Sequence, residues 1–86
     1  MSKRDKLLKK LGNPDQERGH RFEEVMGLLP HYGYEGRQYG TSHVVFELPT
    51  DPMDRPLVLF PEKDGTLAPY IVRQVRRELK RRKLIK

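Results

Sequence analysis

The sequence predicts a single α+β domain, with helices covering one face of a three-stranded antiparallel sheet. Three observations lead there. Apolar residues recur at helical spacing near both ends of the chain, short apolar runs bounded by glycine and proline lie between them, and those runs follow one another with no helix in between. With 86 residues, 35% of them hydrophobic and 35% charged, the core has to be small and drawn from a few elements.

In "KRDKLLKKLGNP", Leu7, Leu8 and Leu11 lie at helical spacing and Gly12-Asn13-Pro14 supplies a stop, which predicts a short basic helix. From Arg21 to His31, the residues Phe22, Val25, Met26, Leu28 and Leu29 make a broad apolar face. Glu23 and Glu24 sit in the first turn, where the helix dipole favours negative charge, and the helix should end between Pro30 and Gly33. Tyr34 to Gln38 and Ser42 to Leu48 read as the strands of a hairpin joined at Gly40-Thr41. After the proline-rich loop "PTDPMDRP", Leu57 to Phe60 is a continuous apolar run, expected as a strand buried on both faces or nearly so. Asp64-Gly65 breaks the chain, and Thr66 is the expected N-cap of a helix running from Leu67 to about Arg82, with Pro69 in its first turn. Ala68, Ile71, Val72, Val75 and Leu79 form its core stripe.

Composition narrows the chemistry. Without cysteine there is no disulfide, thiolate zinc site or thiol nucleophile, which fits a reducing compartment. Leu7, Leu8 and Leu11 are too few for a signal peptide and no run approaches a membrane span, so a soluble, cytoplasmic protein is expected. Charge is unevenly placed. Residues 1–11 hold five bases against Asp5 and residues 73–86 hold eight against Glu78, so a total of +6 leaves residues 12–72 at −5. A polyanion should therefore dock on the basic ends.

His43 stands at the mouth of the second strand. Alternation turns Val44, Phe46 and Leu48 toward the helices and His43, Val45 and Glu47 the other way. Two readings are open: a polar residue at the open end of a strand, or a proton carrier with an ordinary pKa of about 6.5, suited to a ribose hydroxyl or a phosphodiester. Glu47, four residues along, is about 13 Å away and cannot orient the imidazole. A two-residue hairpin loop places Gln38 opposite His43, and a three-residue loop starting at Tyr39 places Arg37 there; the sequence is compatible with both. His20 and His31 read more simply as structural or surface residues. The three histidines are too far apart in sequence for a local metal site, and no zinc is expected.

Arg73, Arg76, Arg77 and Lys80 lie about 80° to 180° from the core stripe of the last helix. They read either as a solvated face or as a stripe that follows a phosphate backbone. Tyr32, Tyr34, Tyr39 and Tyr70 are candidates for stacking on bases.

"RFEEVMGLLPHYGYEGRQYGTSHVVFELP" followed by "PLVLFPEKDGTLAPYIVRQVRREL" resembles the HicA family of toxins from bacterial toxin–antitoxin pairs. The likeness runs from about Phe22 to Leu79: a helix ending in Gly33-Tyr34, the strand Gly40-Thr41-Ser42-His43-Val44-Val45-Phe46, a short apolar strand, and a helix entered through Pro69-Tyr70. The family form is Gly-Ser-His, where this chain has Gly-Thr-Ser-His, and its basic N-terminal helix lies outside the family pattern. The resemblance implies an α-β-β-β-α fold similar to the double-stranded-RNA-binding domain across residues 21–82, with residues 1–14 as a basic extension. It also implies an mRNA-cleaving ribonuclease, a HicB-like antitoxin as partner, and His43 as the functional histidine. Together these readings predict RNA cleavage by His43 as general acid or base, without metal or small-molecule cofactor, with Arg37, Arg73, Arg76, Arg77 and Lys80 binding RNA. The competing reading is an RNA-binding module without catalysis.

Overall fold

The computed structural model describes residues 2–40, 43–51, 53 and 55–85. Its elements are α1 (Lys3–Gly12), α2 (Phe22–Leu28), β1 (Glu35–Tyr39), β2 (His43–Glu47), β3 (Leu57–Leu59) and α3 (Pro69–Arg81). The strands form one antiparallel sheet in the order β1-β2-β3, so the expected α+β class holds and both outer strands are edges.

Each helix starts and stops for a local reason. Ser2 caps α1, its hydroxyl accepting from the Asp5 amide at 3.2 Å. The second helical segment changes character earlier than its periodicity suggests. Pro30 lacks the amide that would continue the α-helical ladder, so α2 gives way to a 3₁₀ turn over Leu29–Tyr32, closed by Gly33 at φ 92°. Thr66 does not cap α3. Its amide and hydroxyl both donate to the Asp64 carboxylate, at 3.0 and 2.6 Å, and the cap position belongs to Ala68.

Two features place the sheet. Leu57 and Leu59 point inward with Phe46 and Leu48, while Val58 is 40% exposed, so β3 is buried on one face rather than two. On β1, the inward position opposite Phe46 is Gly36, and a Cβ there would meet the Phe46 ring at 2.8 Å. The phenyl ring thus lies over bare backbone. The inward residues join Val25, Leu28 and Leu29 of the second helical segment and Ile71, Val72, Val75 and Leu79 of α3 in one core. The helices cover this inner face and leave the other open.

The basic extension is part of that core. Leu11 of α1 is fully buried. Arg76 of α3 donates from Nε to the Leu11 carbonyl at 2.6 Å and from Nη2 to the carbonyls of Asn13 and Gln16 at 2.7 and 3.0 Å. On the other flank of the stripe, buried Glu78 accepts from Arg81, which also reaches Asp51 at 2.7 Å beyond β2.

Candidate active site

His43 is the first residue of β2 and lies exposed on the open face of the sheet, as its alternation predicts. Neither expected register occurs. Tyr39 pairs with His43, Gln38 with Val44 and Arg37 with Val45, which makes residues 40–42 the hairpin connection. Gly40 enters it at φ 66°, a left-handed conformation that glycine adopts freely; Thr41 and Ser42 lie outside the described residues. The shift is one residue further along than the two-residue loop, and it trades a polar neighbour for an aromatic one.

Directly opposed residues share a face, so Tyr39 and Arg37 both stand on the side of His43. Arg37 is its diagonal neighbour, at a Cβ separation of roughly 7–8 Å. Glu47 pairs with Glu35 at the far end of the strands, leaving it unable to orient the ring. Beyond β3 lies the group that does meet the ring. Phe60 places its centroid 4.7 Å from that of His43, with 31° between the planes. Phe60 in turn lies 6.5 Å from Tyr70, at the start of α3. Among the described residues no side chain hydrogen-bonds to the imidazole, so the aromatic contact is what holds its plane.

The five basic residues do not converge on this point. Arg37 shares the face of His43, while α3 packs against the opposite face and carries the others behind the sheet. Arg76 is removed from the interface altogether: it is 7% exposed and its guanidinium is engaged by three backbone carbonyls. The helical angle of Arg76 suggested solvent, but α1 and the loop after it cover that flank of α3. Arg73 is exposed and paired with Glu17 at 2.9 Å. Arg77 and Lys80 are exposed and form no ion pair among the described residues.

His20 has a structural place. It is buried, and its Nε2 lies 2.6 Å from the Gln16 carbonyl, so the neutral ring donates there. Burial, with the nearby Lys10 and Arg76 charges, lowers its pKa from the usual 6.5; the bond to Gln16 and the Glu24 charge oppose the shift. His31 is exposed at the end of the 3₁₀ turn. Among the described residues, no three histidine, aspartate or glutamate side chains stand close enough to share a metal ion. No described helix is long and apolar enough to cross a membrane.

Tyr39, Phe60 and Tyr70 are the site residues that sequence reasoning did not bring to His43. The signal was present in part, because continuing the β2–β3 ladder one step past Val44 and Leu59 sets Phe60 beside His43. No family model, curated protein or solved structure matches the chain, and its chemistry is therefore read from the geometry of its own residues.

Proposed function

We propose that the chain is a metal-independent ribonuclease of the toxin kind, similar to HicA, acting on mRNA in the cytoplasm and neutralised by a HicB-like antitoxin that covers the open sheet face. In this reading residues 21–82 form a domain similar to the double-stranded-RNA-binding fold. The observation that carries it is His43: an imidazole on the open face of a sheet, its plane held by Phe60, with Arg37 on the same face of the adjacent strand. His43 takes the proton of a ribose 2′-hydroxyl, the 2′-oxygen attacks the adjacent phosphorus, and the bond to the 5′-oxygen of the next nucleotide breaks. The leaving oxygen takes up a proton from solvent or from the imidazolium, leaving a 2′,3′-cyclic phosphate and a 5′-hydroxyl. Arg37 supports the phosphate as charge builds on its oxygens.

One observation favours a second reading, RNA binding without cleavage. Among the described residues no group hydrogen-bonds to the His43 imidazole, so no second group is in place to relay its proton. His43→Ala and His43→Gln separate the two. If His43 is the proton carrier, both variants lose about 10²- to 10⁴-fold in RNA cleavage, in the presence of a chelator, while affinity changes little. Cleavage that survives in both variants would falsify the catalytic role, and wild-type protein that binds RNA without cleaving it establishes the second reading.

A further inference from the structure

The aromatic contacts at His43 continue onto the helix. His43, Phe60 and Tyr70 follow one another at 4.7 and 6.5 Å, and Tyr70 is 48% exposed. On α3, residues three, four and seven positions beyond Tyr70 share its side of the cylinder, and these are Arg73, Gln74 and Arg77, all exposed. Arg77 stands about 10 Å along the axis from Tyr70 at 1.5 Å per residue. Arg73 is engaged by Glu17, so the cation that this face offers without an acidic partner among the described residues is Arg77. The start of α3 is thus the place where the open sheet face and the basic helix face meet.

We propose that this junction is a binding subsite for the unpaired nucleotides flanking the phosphate at His43: a base stacks on Tyr70, and the backbone beyond it runs along α3 to Arg77. The occupant is single-stranded RNA. An exposed ring accepts any unpaired base, and a guanidinium one or two nucleotides further on neutralises a phosphate without reading sequence. In a duplex each base face is already covered by its neighbours in the stack, so a duplex gains nothing from Tyr70. The basic end of the chain, with eight bases against Glu78 in the sequence of residues 73–86, supplies the field that draws a polyanion there. The proposal rests on the ribonuclease reading for the position of the scissile phosphate, and the subsite itself is testable by binding alone.

The test uses the full chain with an oligoribonucleotide methylated at every 2′-oxygen, which cannot be cleaved, and carrying one 2-aminopurine. The expected result is quenching of the 2-aminopurine on binding, with the single strand preferred over its duplex by about tenfold or more. Tyr70→Phe keeps both properties. Tyr70→Leu loses about tenfold in affinity together with the quenching. Arg77→Gln keeps the quenching but lowers the salt dependence of binding by about one phosphate contact. Equal binding of single strand and duplex, an unchanged Tyr70→Leu variant, or no RNA binding at all overturns the subsite, the last leaving the patch to a protein partner. Quenching with this pattern alongside an inert enzyme on unmodified RNA upholds the subsite and sinks the ribonuclease reading instead. Tyr70 is half exposed, so thermal melting checks that each variant is folded.

Discussion

The carbonyl of Gln16 accepts two bonds, from His20 Nε2 at 2.6 Å and from Arg76 Nη2 at 3.0 Å. Both of its lone-pair directions are thereby used, and a proton added to His20 would place a second positive charge beside a guanidinium in a buried setting. The folded pKa of His20 is accordingly depressed, chiefly by burial. The sign follows from linkage: between the folded value and 6.5 the unfolded chain binds more protons. The stability contributed by neutral His20 is therefore fully present above about 6.5 and is lost as pH falls below it. Asp51 and Asp64 are also depressed, by Arg81 and by the Thr66 hydroxyl respectively, but theirs is stability lost only on falling through the carboxylate range below 3.8. Urea midpoints measured from pH 7 to pH 5 should thus decline in the wild type and decline less in His20→Asn. Parallel slopes in the two proteins would show that the buried histidine does not set this dependence.

At the level of the element, the end of α3 shows how a helix stops without its usual residue. The Leu84 amide bonds to the Leu79 carbonyl at 2.9 Å and the Lys83 amide to the Lys80 carbonyl at 2.9 Å, the paired closure of a Schellman motif. The residue that must then be left-handed is Lys83, at φ 60°, where glycine is the common choice. Leu84 packs partly against the core and holds the motif closed. Relief of the Cβ strain at Lys83 is worth about 1 kcal/mol, less the extra freedom glycine gains in the unfolded chain. Lys83→Gly should raise the melting temperature by about 2–4 °C, and a calorimetric scan showing no rise or a fall would refute the assignment of strain.

Across the whole molecule, α1 and α3 join the two basic ends of the chain, and Arg76 is the link. Its three carbonyl partners span the end of α1 and the loop that follows, and Leu11 is buried beside them. Arg76→Met keeps most of the apolar stem but removes three donated bonds, leaving the Leu11 carbonyl without a donor among the described residues while Asn13 and Gln16 keep theirs from the Gln16 amide and His20, a loss of about 2–4 kcal/mol. Its neighbour Arg77→Met, on the exposed side, should stay within about 0.5 kcal/mol of wild type. Chemical denaturation of the pair tests this directly, and equal stabilities would mean that the N-terminal helix is not held through α3. The same packing separates the helix from His43. Because α3 covers the inner face of the sheet, its cations reach the histidine only around the end where Phe60 meets Tyr70.

The elements themselves were legible in the chain because each depends on local order: the heptad-like stripe of α3, the alternation of β2 and the glycines at Gly33 and Gly40 are all short-range patterns. The same alternation was enough to turn His43 outward. The neighbours of His43 were another matter, since register rests on how the hairpin closes, and a one-residue shift exchanges Gln38 for Tyr39. The fate of Arg76 likewise required knowing that α1, 65 residues away in sequence, packs on α3. Periodicity within one helix distinguishes its own two sides, but only the packing of a distant segment decides which of its charged residues remain in water.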